Sequence, residues 1–431
     1  MHASFQSSFR SFALTIAGAS LASPVLAGVI VVDVAGGGSF TQIQPAVDAA
    51  ANGDTLLVKN GNYAGFVIDD KALNVVRDAG TTGAITNTIT VRNLAVDKDV
   101  LLQNLVVTAP SVEDAITHGL VCTNNAGSVR VQDSTLTGGN ADFDGCGDFQ
   151  FPGAGASVQS STDVVMIRCT LTGGLGWGFA NCNCGFARQG GAGLQSSASL
   201  VALYDCALLG GRGGPGMECG GKGGTGALVS GSLGVYAADS SFTGGMGGMF
   251  GLPDATCPSW SGGYGGSGLV VQSPAVAQSL DNTFAAGTQI GSSQIFCPQD
   301  DWSQGVPTQG SLFQFIGAGR SIEFPSPVRE GQALHVTIRG VAGDRVRLRL
   351  SSDTSFQTIP SLRGVLNTPH LDQGLIVGAL PASGTLVVSV PNPMLPSGTL
   401  AQQKYLQASV VTPAGGYIGS MGTLVVLDAG F

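Results

Sequence analysis

The chain repeats itself, and the phase of that repeat limits its fold more than any other feature. A glycine landmark, read as a Gly-Gly-x-Gly-apolar turn or a close variant of it, recurs at 153–156, 190–194, 223–227 and 265–269. A reduced version stands at His118-Gly119-Leu120. A second landmark closes a strand-like run: Asp133-Ser134-Thr135-Leu136-Thr137-Gly138, then Arg168-Cys169-Thr170-Leu171-Thr172-Gly173, then Asp205-Cys206-Ala207-Leu208-Leu209-Gly210. It continues at Asp239-Ser240-Ser241-Phe242-Thr243-Gly244 and Asp281-Asn282-Thr283-Phe284-Ala285-Ala286. From glycine landmark to apolar landmark the interval holds at 15 to 17 residues, while the return interval ranges from 18 to 26. One arm of nearly fixed length and one of free length is the mark of stacked coils, which hold register and let loops grow on one side.

Stacking turns equivalent positions into ladders about 4.8 Å apart. Leu136, Leu171, Leu208, Phe242 and Phe284 make an inward apolar ladder. Two residues earlier, Ser134, Cys169, Cys206, Ser240 and Asn282 share that face by strand alternation. Asp133, Asp205, Asp239 and Asp281 fall where strands turn, and a short carboxylate there can accept backbone N–H groups. Arg168 breaks this column, and the sequence gives no reason for it.

With 67 glycines the composition could signal low complexity, but Val, Leu and Ile alternate with polar residues in many short runs, as ordered all-β proteins do. Lys and Arg number 19 against 28 Asp and Glu, and no basic run occurs, which speaks against nucleic acid or an anionic membrane surface as partner. Residues 1–27 have the layout of a cleavable signal peptide: Arg10, an apolar stretch from Phe12 to Ala22, then Val25-Leu26-Ala27 before a mature start at Gly28. The expected location is therefore secreted, cell-surface or periplasmic, with no membrane span in the mature chain. Nine cysteines in an exported chain permit disulfides. Cys146, Cys182, Cys184, Cys219 and Cys257 fall in loops and are the candidates, whereas Cys169 and Cys206 suit a core.

Near the mature start, Phe40–Ala50 places Ile43, Ala46, Val47 and Ala50 on one helical face, and Gly53-Asp54 leads into Thr55-Leu56-Leu57-Val58. A helix here would cover the open first coil. This stretch and the repeats resemble the pectate lyase-like right-handed parallel β-helix superfamily over roughly residues 28–318. The resemblance implies an all-β solenoid with an N-terminal capping helix, and it implies function only weakly. From Gly319 to Phe431 the glycine repeat gives way to short strand candidates at 333–338, 345–350, 384–390, 406–411 and 424–427. A small β-sandwich fits their spacing, and the segment resembles a β-domain at the C-termini of secreted planctomycete-like proteins.

The expected loops leave one side of the solenoid, where this superfamily commonly keeps its substrate groove. Trp177, Phe179, Trp260 and Tyr264 could stack on sugar rings or anchor the loops, and Arg188, Arg212 and Lys222 stand beside them. Asn140, Asp142, Asp144 and Asp148 space their oxygens like the first half of a calcium loop, with Gly145 sixth but Phe151 where the bidentate Glu belongs. No linear signature of a pectin esterase, pectate lyase or polygalacturonase occurs. Three readings stand: a non-catalytic extracellular protein that binds polysaccharide or serves a surface role, a polysaccharide lyase or hydrolase in the loop-side groove, and an adhesin-like binder.

Overall fold

The computed structural model describes residues 27–78, 84–112, 115–141, 151–177, 187–216, 220–249, 262–290, 303–369, 374–392, 394–412 and 415–431. The expected signal peptide therefore lies outside it, apart from Ala27. The chain winds as a right-handed parallel β-helix through three sheets, called A, B and C here. Thr55–Val58 belongs to sheet A, Gly61–Tyr63 to sheet B and Phe66–Asp69 to sheet C, and Leu73–Arg77 then returns to sheet A. Among the described residues sheets B and C hold 8 strands each, which makes eight coils, and sheet A holds 10, with Val29–Val32 before the coils and Leu312–Phe315 after them.

Register follows the apolar ladder: Leu136 pairs with Leu171, Leu171 with Leu208, Leu208 with Phe242, and Phe242 with Phe284. The two phenylalanine rings stack at 5.1 Å. Each fully buried Leu or Phe contributes about 2–3 kcal/mol of apolar transfer. The small ladder beside it has a separate task. Ser134 Oγ accepts the Leu105 N–H (3.1 Å), Ser240 Oγ accepts the Cys206 N–H (3.1 Å) and Asn282 Oδ1 accepts the Ser240 N–H (2.7 Å). Each side chain thus satisfies the corner of the coil before it. Cys169 and Cys206 occupy this ladder as buried free thiols, and each sulfur donates to the carbonyl two residues back. A second ladder of this kind, Asn125, Ser161 and Ser199, serves the corner between sheets C and A and carried no sequence signal. At the start, helix Ile43–Ala49 buries Ile43, Ala46 and Val47 over the first coil.

The glycine landmarks are not turns. Where the later coils leave sheet B and return to sheet C, the two arms run as extended stems of Gly-Gly-x triplets, such as 210–215 and 244–249 going out and 220–225 and 262–267 coming back. Along 244–249 both glycines of each triplet are buried and the third residue, Met246 or Met249, is exposed. A period of three with no bonds inside a segment is the behaviour of a polyproline-II helix. All bonding is between stems. Gly224 N–H reaches Gly211 O, Gly245 N–H reaches Gly224 O and Gly266 N–H reaches Gly245 O, at 2.7–2.8 Å, zigzagging between an outgoing and a returning layer. Within the layers, Gly213 N–H reaches Met246 O and Gly190 N–H reaches Lys222 O, both at 2.9 Å. The stems therefore form a two-layer slab held mainly by backbone bonds.

After Phe315 the strands pair antiparallel, except Val328–Arg329, which runs parallel to the last strand. One sheet joins Ser321–Glu323, Leu334–Arg339 and Thr385–Val390; the other orders Val328–Arg329, Gly415–Leu427, Ala401–Thr412, Arg345–Ser351 and Leu375–Ala379. Two of the expected short strands are instead a long hairpin of 12 and 13 residues. The hairpin reaches this length because it lies on the outer face of sheet A. Val165, Ile167, Ala202, Tyr204, Tyr236 and Ala238 share one apolar cluster with Val365, Leu406, Ala408 and Met421. Leu57, Val76 and Leu101 of earlier coils do the same with Ala401, Val425 and Leu427. Sheet A is thus covered on both faces, and Val164–Ile167, Val201–Tyr204 and Val235–Ala238 are buried at every residue. Polar links fix the docking. Asn367 Nδ2 donates to Tyr204 OH (2.9 Å), Tyr236 OH donates to Arg363 O (2.9 Å), and Thr423 N–H donates to Gln132 Oε1 (2.7 Å). Buried Arg130 forks onto Asp163 at 2.6 and 2.8 Å.

The slab makes a sharp prediction. A Cβ built on Gly224 would overlap the carbonyl oxygen of Gly191, so Gly224→Ala should destabilise by about 2–3 kcal/mol or more through overpacking. Met246→Ala, at a solvent-facing triplet position, should stay within about 0.5 kcal/mol of wild type. Chemical denaturation of both variants measures the contrast, and equal effects would contradict a side-chain-free slab.

Candidate functional site

The corner between sheets A and B is built by its backbone. Asn104, Asp133, Arg168, Asp205, Asp239 and Asp281 stack there with φ between +50° and +58°. Asn and Asp tolerate this left-handed conformation better than other non-glycine residues, which accounts for the carboxylate column. Arg168 holds the same backbone conformation, and its side chain explains the break. Nε and Nη2 fork onto the Asp133 carboxylate at 2.6 and 2.9 Å, while Nη1 donates to Ile322 O at 3.1 Å. One guanidinium thereby neutralises its neighbour and ties the corner to the C-terminal strands.

Beyond Arg168 the next three column positions carry only carboxylates. Asp205, Asp239 and Asp281 line a cavity of about 410 Å³ together with Ala207, Ser241 and Thr283. The chain passes directly over it on leaving the β-helix: Gly319 N–H donates to Asp281 Oδ2 at 3.0 Å, and a Cβ on Gly319 would overlap the Asp239 carboxylate. Burial pushes Asp239 up to about 7, Asp205 and Asp281 add to the rise, and Arg320 opposes it. Burial also raises Asp205, against the pull of Arg168. A second cavity of about 510 Å³ continues along the corner between Asn104, Asp133 and Arg168 and, on the C-terminal strands, Glu323, His335 and Arg339.

From this column the strands of sheet B run toward the slab. Their outward residues are Thr135 and Thr137, Thr170 and Thr172, Ala207 and Leu209, Ser241 and Thr243, and Thr283 and Ala285, stacked in register. The first four pairs are half-buried and the last is exposed. The result is an uncharged, hydroxyl-rich floor. The Asp column borders one side, and the outgoing stems border the other with exposed Leu175 and Met246.

The slab also sorts the residues expected to bind substrate. Trp177 is 48% exposed at the end of an outgoing stem, and Arg212 belongs to that layer. Arg188, Lys222 and Tyr264 belong to the returning layer, where Arg188 lies over the Phe151 ring at 5.1 Å. Because the layers meet through their glycines, their third residues face opposite ways, so Arg212 is separated from Lys222 and Tyr264. Phe179 and Trp260 lie outside the described residues, as do Asp142, Asp144, Asp148 and the five disulfide candidates Cys146, Cys182, Cys184, Cys219 and Cys257. Asn140, the remaining residue of the expected calcium loop, accepts the Leu175 N–H at 2.9 Å. Among the described residues no three His, Cys, Asp or Glu side chains converge as metal ligands. The sequence reading missed the sheet B floor and the paired cavities, although Thr-x-Thr on successive coils was the visible sign of the floor.

In comparisons with known proteins, no family model matches the chain and no curated protein matches it.

The column gives a pH prediction. Asp239 titrates near 7 in the folded state and near 4 when unfolded. Between these values the native state holds a proton that the unfolded state releases, so stability falls as pH rises through this window. Asp239→Asn should match wild type near pH 4 and exceed it at pH 8, on the order of 1–2 kcal/mol after allowing for solvent screening at this half-buried corner. Urea melts at the two pH values measure it; an asparagine variant less stable than wild type at pH 8 would count against the repulsion.

Proposed function

We propose that this chain is an exported protein that binds rather than cleaves polysaccharide, with an extended neutral glycan lying along the outer floor of sheet B. The observation that carries this reading is the in-register outward face of sheet B, with hydroxyls at Thr135, Thr137, Thr170 and Thr172, a step of Ala207 and Leu209, and hydroxyls again at Ser241 and Thr243. Its rungs repeat about every 4.8 Å along the helix axis, close to the length of one sugar residue in an extended chain. Hydroxyls donate and accept, which suits neutral sugars. The adjoining carboxylates Asp205 and Asp281 would repel a polyuronate, so the floor suits a neutral chain better than an acidic one. Trp177 adds an exposed ring beyond the end of the floor.

Affinity electrophoresis of the purified chain in neutral, acidic and amino polysaccharides tests the proposal. Retardation is expected in a neutral glycan, with Thr172→Ala combined with Thr243→Ala weakening it about thirtyfold, as two lost hydrogen bonds of about 1 kcal/mol each would. Failure to bind any polymer, or unchanged binding by the double variant, would remove the reading.

One observation favours hydrolysis as a second reading. A carboxyl held protonated near neutral pH beside other carboxylates is the arrangement of a glycosidase acid, and Asp239, pushed up to about 7, lines a cavity. Release of reducing ends from a neutral glycan, abolished in Asp239→Asn, would replace binding by cleavage.

A further inference from the structure

We propose that the C-terminal end of the β-helix is an interface on which a second copy of this chain docks end to end. The two ends of the solenoid are finished differently. Helix Ile43–Ala49 covers the first coil and buries Ile43, Ala46 and Val47 against it. At the other end, Leu312–Phe315, Thr283–Ala285 and Thr308–Gln309 are the terminal strands of sheets A, B and C. Among the described residues no strand pairs with their outer edges. Apolar residues reach this surface as well: Phe284 and Leu312, packed against the interior, are only partly buried, and outside the core Phe313 is 54% exposed and Ile316 88%.

A row of open N–H and C=O groups is satisfied best by another strand, and natural edges are usually blunted by charge or proline within the strand. None of these three strands contains either. In a chain with net charge −9, Asp281 is the only charged residue of the last coil among those described, and the Gly319 N–H already holds its carboxylate. The three terminal strands themselves therefore bring no like charge to such a contact.

The shape of the end selects the partner. A single extended peptide could pair with one edge and would leave two open. Three edges held at the sides of a coil are matched together only by another β-helix end of this cross-section. A two-fold axis across the helix axis brings this chain's own end into place with strands antiparallel, an isologous contact that closes at two copies.

Sedimentation velocity and small-angle X-ray scattering on the purified chain test the proposal. Doubling of the mass with rising concentration is expected, with the maximum dimension growing along the helix axis. Phe313→Lys combined with Thr283→Lys should abolish the dimer and leave the circular dichroism spectrum and melting temperature in place. A wild-type chain that stays monomeric, a dimer whose scattering fits side-by-side packing, or a double variant that still dimerises would each overturn it. The scattering result needs no variant, so a misfolded double variant leaves the proposal open to refutation.

Discussion

Everything in this molecule depends on the lateral backbone hydrogen bond repeated at one coil's spacing. In sheets A, B and C it sets the register that brings Leu136, Leu171, Leu208, Phe242 and Phe284 into one column. In the glycine stems the same spacing continues without sheet geometry, and Gly224 and Gly245 bond across the layers at 2.7 Å. The two regimes need opposite side chains. The sheets need apolar residues to fill the interior, and the stems need hydrogen atoms in place of side chains so that backbones can touch. A coil that changed length in its fixed arm would break both at once, whereas extra residues between the stems disturb neither.

The parts of the fold that were legible in the sequence are those that leave a periodic side-chain signal. The Leu/Phe ladder, the Ser/Cys ladder and the face of Ile43, Ala46 and Val47 all have such a signal, and the structure keeps each in its expected place. The slab was visible as glycine but misjudged as turns, since the local pattern Gly-Gly-x-Gly does not distinguish a bend from a threefold extended stem. The covering of sheet A had a sign too: Val164–Ile167, Val201–Tyr204 and Val235–Ala238 are apolar or small without a break, as strands buried on both faces are. That Gly415–Leu427 does the covering was not legible, because nothing local says where a distant hairpin will lie.

The corner column shows why function was harder to see than fold. Its aspartates are explained first by backbone conformation, and a residue chosen for its φ angle carries a carboxylate whether or not chemistry needs one. Their environment then differs rung by rung. Asp133 is neutralised by Arg168, Asp281 is bonded to the chain leaving the helix, and Asp239 is buried between like charges. Such distinctions arise from the docked C-terminal strands and from Gly319, which stand far away in sequence. The floor of sheet B depends less on such distant parts, because its hydroxyls alternate with the core leucines of the same short strands.

The glycine slab has a thermal consequence. Most of a protein's cohesion comes from carbon surface withdrawn from water, a force that weakens on cooling. Glycine stems withdraw little carbon and are held instead by amide-to-carbonyl bonds, and exposing polar backbone lowers the heat capacity of unfolding where exposing apolar surface raises it. The slab's stability therefore varies little with temperature, and at low temperature it becomes the stiffer part of the coil as the apolar interior loses its grip. The edge of the β-helix without side chains in its packing is the edge best suited to the cold.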